Sequence, residues 1–420
     1  MEILIMMSVS LVGGLLMSRL AKRLALPAVT AYLVAGLLLG PFLIGALGIP
    51  GVGFHSMEEA EQLNIISQVA LGFIAFTIGN EFRVSQLKTM GRQAITVGIL
   101  QAVTATALVD VCLIVLHLIR PEIISVSSSI TLGAIAAATA PAATLMVVRQ
   151  YKADGPLTRL LLMVVAIDDA VGLVLFSASF GVATALESGS ISIVTVLVEP
   201  VIEIVLSLGL GAVAGVVLYW VERFFHSRSK RLSISIGFVL LTVGISMAEF
   251  EIGGIHCGFS LLLVCMMTGT LFCNICDFSE ELMARVDGWT APLFVLFFVL
   301  SGAELDLSVL RKPSVLLIGA VYIVARSLGK YIGSYGSCAM TGCSDNIKKH
   351  LGITLLPQAG VALGMAITAE SLTDGAVVRS VVLFSVLVYE LVGPALTKRS
   401  LLAAGEISLE GQTSARKKNA

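Results

Sequence analysis

"VVAIDDAVGLVLF", residues 164–176, places Asp168 and Asp169 side by side in a run otherwise too apolar to face water. An ionised carboxylate at the centre of a membrane helix costs roughly 2.5–3.5 kcal/mol on insertion scales, so two adjacent ones imply a wet cavity, a fixed partner or a proton. Adjacent helical residues point about 100° apart, so these two acids cannot share one environment. One can face a partner while the other faces a cavity.

The rest of the chain says that this run is a membrane span. Of 420 residues, 57% are hydrophobic and only 13% charged, against about 25% charged in soluble domains. Mean hydropathy is +0.97. The charged residues cluster in short segments between long apolar runs, so the class is an all-α integral membrane protein. A formal net charge of −1 gives no reason to expect a nucleic-acid partner; the lipid bilayer is the expected surroundings. At the N-terminus, "MEILIMMSVSLVGGLLMSRLAKRL" puts its apolar run before its basic residues, the reverse of a secretory signal, and reads as a retained first span.

Apolar runs able to cross a hydrocarbon core predict thirteen spans, at 3–20, 27–48, 64–82, 93–118, 129–149, 157–186, 191–221, 232–249, 253–273, 290–307, 314–337, 350–370 and 375–397. Basic residues stay cytoplasmic. The loops after spans one, three, five and seven carry Arg19/Lys22/Arg23, Arg83/Lys88/Arg92, Arg149/Lys152/Arg159 and Arg223/Arg228/Lys230/Arg231. This predicts a multi-pass protein with its N-terminus outside and its C-terminus inside, Arg311 and Lys312 being the exception.

An internal repeat accounts for that exception. "GNEFRVSQLK" (79–88) and "GAELDLSVLR" (302–311) share Gly, Glu, Ser, Leu and a basic residue at a constant offset. An odd number of spans separates them, so the copies are inverted. The predicted organisation is a single transmembrane transporter domain, 1–400, with inverted repeats at roughly 1–186 and 232–398, a linker helix at 191–221 and a short cytoplasmic tail at 401–420. Two spans after each copy a helix is interrupted by proline: "AATAPAATLMVV" around Pro141 and "LLPQAGVALGMA" around Pro357 and Gly360. Crossed discontinuous helices from inverted repeats form the ion site of secondary transporters.

Partners for the aspartates are sought in span eleven, "VYIVARSLGKYIGSYG", where Arg326 and Lys330 are four apart and share a helix face. The plainer alternative is a buried salt-bridge cluster that only holds helices together. Glu81 and Glu304 close the repeat segments near the water boundary, where helix-end interface roles fit better than ion coordination; Arg326 is a candidate to neutralise one of them. Asp110, with His117 seven residues on, suggests partial pairing or a wet groove, and His256 is read as satisfying a loop or helix end. "CNIC" (Cys273, Cys276) and "CAMTGC" (Cys338, Cys343) make a four-thiolate zinc or redox site geometrically conceivable. No G-x-x-x-x-G-K-S/T element is present, so the Gly-rich spans point to close helix packing.

The motifs "TAPAAT" (139–144), "AIDDAVG" (166–172), "RSLGKYIG" (326–333) and "PQAGVALG" (357–364), in this order, span nearly the whole chain. With them it resembles the bacterial cation:proton antiporters of the second monovalent cation:proton antiporter family, and is similar to those sodium/proton antiporters that carry a paired-aspartate signature. The resemblance implies a sodium/proton antiporter fold in the bacterial cytoplasmic membrane, a homodimer, no cofactor and no enzymic activity. It implies that Asp169 binds the cation or the proton, that Asp168 pairs with Lys330, and that the unwound segment at Thr139, Ala140 and Pro141 borders the site and supplies oxygens. Where some relatives carry an aspartate after the threonine, this chain has Ala140, so no extra side-chain ligand is expected there.

The resulting expectation is exchange of sodium, with lithium or potassium as further candidates, for protons. A carboxylate, a threonine hydroxyl and broken-helix carbonyls offer the oxygen ligands that a hard monovalent cation prefers. A moving bundle of spans three to six and ten to thirteen is expected to slide or rock against the rest. Two other classes share some of these features: a sodium-coupled organic anion symporter, which wants a larger polar cavity, and a regulated cation channel, which needs no proton coupling.

Overall fold

In a computed structural model, the chain is described throughout except at residues 1, 25, 50, 52, 80–81, 189–198, 249, 253–254, 306, 308–310 and 408–420. The architecture is helical: α1 (Glu2–Arg23), α2 (Ala28–Leu39), α3 (Met57–Glu61), α4 (Asn64–Gly79), α5 (Val84–Ile119), α6 (Val126–Ile135), α7 (Pro141–Tyr151), α8 (Pro156–Ser188), α9 (Glu199–Arg223) and α10 (Arg228–Ser246). A small antiparallel hairpin, β1 (Phe250–Ile252) and β2 (Ile255–Cys257), leads to α11 (Leu261–Ile275), α12 (Ser279–Ala303), α13 (Pro313–Met340), α14 (Asp345–Thr354), α15 (Gly360–Thr368) and α16 (Gly375–Ala403). Among the described residues, eight helices are long and apolar enough to cross a membrane, and α2, α4, α6 and α11 are shorter apolar helices.

Over its described residues each predicted run coincides with a helix or with an interrupted pair, but several limits move; residues 191–198 of the seventh run and 408–420 of the predicted tail lie outside the described residues. The run 27–48 is helical only to Leu39; Gly40 caps α2 in an extended conformation and Pro41, without an N–H, cannot continue the ladder. The run 64–82 is helical only to Gly79. The run 253–273 begins in the hairpin, where His256 pairs with Glu251, and becomes helical at Leu261, after Ser260 accepts the Leu263 N–H as an N-cap. Both predicted interruptions are present. The first separates α6 from α7, which has Pro141 at its start; the second separates α14 from α15 around Pro357.

The helices sort into two bundles. One is built from α5, the pair α6/α7, α8, α13, the pair α14/α15 and α16; the other from α1, α2, α4, α9, α10, α11 and α12, with thinner contact between them. This corrects the expected moving unit, because α4 and α12, the third and tenth spans, pack with α2 and α11 and not with the broken helices. Small residues explain why. A Cβ at Gly302 of α12 would collide with the Leu33 carbonyl of α2, and one at Gly36 of α2 with the Val299 carbonyl of α12, so the two backbones touch. The same device seats α13 on α5: a Cβ at Gly329 would lie 2.6 Å from Ala105 Cα, and one at Gly333 2.8 Å from Gln101 Cα. That seating brings Gln101 and Lys330 to the same level, where the breaks cross.

Gly302→Leu should therefore destabilise the second bundle by about 1–3 kcal/mol, as overpacking of a close contact does. A lowered thermal unfolding midpoint of the detergent-solubilised chain is the expected result; an unchanged midpoint would contradict the backbone contact.

Candidate ion-binding site

A helix that stops inside a membrane leaves carbonyl groups without intrahelical donors. The first break exposes those of Ala136, Ala137 and Ala138, at the C-terminal end of α6. Two cations from α13 satisfy them. Arg326 donates through Nε to Ala136 O (3.0 Å), through Nη2 to Ala138 O (2.6 Å) and through Nη1 to Leu356 O of the second break (2.7 Å). Its guanidinium lies over the Tyr389 ring, 4.5 Å from the centroid. Lys330 donates to Ala137 O at 2.6 Å. Positive groups at a helix C-terminus also complement its dipole. A backbone bond from Ala140 N to Pro357 O (2.8 Å) ties the two breaks together, and Gln358 donates to Ile135 O (3.0 Å) and to the Tyr322 hydroxyl (2.9 Å).

Into this crossing α8 inserts Asp168, which is fully buried. Its Oδ2 accepts from Thr139 Oγ1 (2.6 Å) and from Lys330 Nζ (3.1 Å), and its Oδ1 accepts from Gln101 Nε2. Lys330 also donates to Thr139 Oγ1 at 2.8 Å. The three N–H donors of an ammonium are thus all used, on a carbonyl, a hydroxyl and a carboxylate. Both oxygens of Asp168 are occupied as well.

Asp169 is placed otherwise. It is half-buried, its Oδ1 is shielded from solvent without a hydrogen-bond partner, and Asp168 and Lys330 are the charged groups that act on it. Three residues on along α8, a Cβ at Gly172 would lie 4.0 Å from Ala138 Cα and 3.8 Å from Met365 Cε, so this face of α8 lies against the first break and α15. Beside the crossing lies a cavity of ≈ 350 Å³ empty volume, lined by Thr139, Ala140 and Pro141 from one break, Ala359 and Gly360 from the other, and Leu71, Leu262 and Phe297 from the second bundle. Its walls are almost entirely apolar.

Several predicted residues fall elsewhere. Among the described residues Arg326 pairs with no glutamate; its donors go to the broken-helix carbonyls, which would otherwise be unsatisfied in a dry crossing. The carbonyls of Ala136 to Ala138 are held by Arg326 and Lys330. Glu304 is the half-buried C-cap of α12, and Glu81 lies outside the described residues. Asp110 and His117 do not pair: His117 Nδ1 meets Ile124 O at 2.7 Å, while Asp110 packs on Gly133 of α6. Cys273 lies 3.2 Å from the Thr270 carbonyl, and among the described residues no three His, Cys, Asp or Glu side chains converge as a metal site. Gln101 and Gln358 escaped the sequence reading as site residues. A lone glutamine inside the apolar run of α5 was the available signal for the first.

Crossed interruptions around a buried lysine–aspartate pair, beside a second aspartate whose Oδ1 has no hydrogen-bond partner, are the kind of arrangement in which secondary transporters form their ion sites. The chain belongs to the family described as sodium/hydrogen exchanger, transmembrane, whose model matches residues 7–401. It is a multi-pass membrane protein that performs cation/proton antiport. It is 24% identical over 363 residues to the Na(+)/H(+) antiporter NhaS4 of Synechocystis sp., covering 83% of this chain and 85% of that protein. A shorter match, 28% identical over 102 residues, reaches the K(+) efflux antiporter 5 of Arabidopsis thaliana and covers 24% of this chain and 16% of that one. Two structures of the sodium proton antiporter MjNhaP1 from Methanocaldococcus jannaschii share the fold. The one at pH 8 has a TM-score of 0.67 at 21% identity and covers 98% of this chain and all of its own. The electron-microscopy structure has a TM-score of 0.73 at 18% identity, covering 97% and 98%.

Removing one member of the buried pair should cost more than removing both. Lys330→Met leaves Asp168 and the Ala137 carbonyl uncompensated, an expected loss of about 3–5 kcal/mol, much of which Asp168→Asn in the same chain should restore. Denaturation of the purified variants reads this directly. Additive losses would show that the pair is not a unit.

Proposed function

We propose that this antiporter is of the paired-aspartate type, in which Asp169 alternately carries a sodium ion and a proton while Asp168 is a fixed, charge-balanced neighbour. The observation that carries the reading is the unequal treatment of two adjacent carboxylates. Asp168 has Thr139, Gln101 and Lys330 on its oxygens, whereas Asp169 keeps a shielded oxygen with no partner. A carboxylate in such surroundings requires a neutralising guest. A proton or a monovalent cation can each serve, and only one fits at a time.

Competition for one carboxylate makes the exchange obligatory. If the site crosses loaded with either guest but rarely empty, each sodium moved one way is matched by proton movement the other way. The bundle of broken helices carries the site, and its sliding against the bundle of α1, α2, α4 and α9 to α12 exposes Asp169 to the two sides in turn. We place the protein in the bacterial cytoplasmic membrane with its N-terminus outside and its C-terminus inside, as a homodimer built from inverted repeats. Sodium is favoured by the name of the longer-matching relative; potassium follows from the plant relative's, and lithium from its likeness to sodium. No cationic side chain is among the residues that line the cavity, so it offers an organic anion no counter-charge.

Reconstitution into proteoliposomes tests the assignment. Addition of sodium should collapse an imposed pH gradient, and Asp169→Asn should abolish that response, with lithium and potassium tested in turn. Unchanged exchange by Asp169→Asn would sink the site assignment. Because protons and sodium compete, lowering the pH below the site's titration should raise the apparent sodium KM by about tenfold per pH unit. A KM independent of pH would rule out a shared carboxylate.

A further inference from the structure

The helix that carries both aspartates is tied at each end through a carboxyl group. At its start, in "ADGPLTRL" (153–160), Gly155 occupies the N-cap position of α8: its carbonyl accepts from Arg159 N (3.0 Å), but it has no side chain to meet the free N–H groups of the first turn. Glu406, just beyond α16, takes that place. Its Oε1 accepts from Leu157 N (2.7 Å), and its Oε2 accepts from Thr158 N (2.7 Å) and Thr158 Oγ1 (2.6 Å). Those two N–H groups, at the second and third helical positions, are the ones an N-cap side chain serves. The glycine admits the visitor, because a Cβ at Gly155 would collide with the Glu406 carboxyl group. A negative group there also complements the helix dipole.

The segment that brings Glu406 is itself docked. Asn346 Nδ2 donates to Ala404 O (2.8 Å), Gly405 makes the turn at φ +77°, Asp154 N donates to Glu406 O (3.4 Å), and Ile407 is buried in an apolar core. At the far end of α8, Glu187 accepts from Ser127 Oγ (2.7 Å), Thr373 N (3.0 Å) and Thr373 Oγ1 (2.9 Å). Thr373 just precedes α16 and Glu406 just follows it, so α8 is strapped to both flanks of α16. The two helices share little direct contact along their lengths; α6, α7 and α14, arms of the two breaks, each pack on both.

We propose that Glu406 is a positioning residue of the ion site and acts through α8. The bonds to Asp168 hold α8 at one point, and a helix held at one point can pivot about it. Ties at both ends fix the tilt, and with it the direction in which Asp169, one residue past the pivot, presents its carboxylate. Without Glu406 the near end of α8 is released and the aligned arrangement becomes one of several. Apparent affinity for the ion then falls in proportion to the fraction that stays aligned. The inference rests on the reading of Asp169 as the ion-carrying carboxylate.

Sodium/proton exchange by the full chain in proteoliposomes tests it, with the sodium KM and the maximal rate measured separately. Glu406→Ala should raise the sodium KM about fivefold, as the loss of one cap implies, with the maximal rate within about twofold of wild type. Adding Gly155→Asp to the Glu406→Ala chain supplies a cap from α8 itself, in the space the glutamate has left. That double variant should return the KM to within about twofold of wild type. Glu406→Gln, which keeps the shape and one acceptor oxygen, should fall between wild type and Glu406→Ala, and gives the reading should the alanine variant not fold. A lowered unfolding midpoint with an unchanged KM, or a double variant no better than Glu406→Ala, would overturn the positioning role. Exchange that survives Asp169→Asn would instead remove the reading on which it rests.

Discussion

Everything at the centre of this protein depends on how three unpaired carbonyls at Ala136, Ala137 and Ala138 are satisfied where two interrupted helices cross. Without donors, each would be an exposed acceptor in a medium that offers no water. Arg326 and Lys330, one helical turn apart on α13, supply those donors, and Arg326 reaches the second break at Leu356 as well. Their placement depends in turn on Gly329 and Gly333, which let α13 approach the backbone of α5.

Two buried cations then demand an anion, and Asp168 supplies it. Its Oδ2 meets Lys330 and Thr139, so the same lysine that caps α6 also holds the carboxylate. Gln101 closes the remaining side. In the proposed reading, Asp168 is thereby committed to structure and Asp169 is the carboxylate with capacity for a guest. A buried lysine–carboxylate pair is weak evidence for stability in itself; here its value lies in orienting one aspartate so that the other is left open.

How much of this was legible beforehand follows from what sequence patterns encode. Helix class and both interruptions could be anticipated, because proline positions and apolar run lengths are local signals; charges within spans pointed to Arg326 and Lys330 as candidate partners, and that Asp168 takes Lys330 was implied only by the family resemblance. The boundaries of α2 and α11 were not, since apolar composition continues through Gly40–Pro41 and into the hairpin at Phe250–Cys257 while the backbone does not stay helical. Arg326 was misassigned because its partners are backbone carbonyls, which carry no sequence signature. Gln101 was missed for a related reason: a single polar residue in an apolar helix says that a partner is needed without saying which. The division into two bundles rests on contacts between distant glycines, and the inverted-repeat pattern by itself assigned α4 and α12 to the wrong one.

The central claim is that sodium and a proton exclude each other at Asp169. Calorimetric titration of the purified protein with sodium, repeated in buffers of different ionisation enthalpy, measures how many protons leave as the ion binds. The account predicts release of about half a proton per sodium bound at the midpoint of the site's titration, rising towards one at lower pH, as reciprocal linkage requires, and no sodium-linked release in Asp169→Asn. Sodium binding without proton release in the wild-type protein would contradict it.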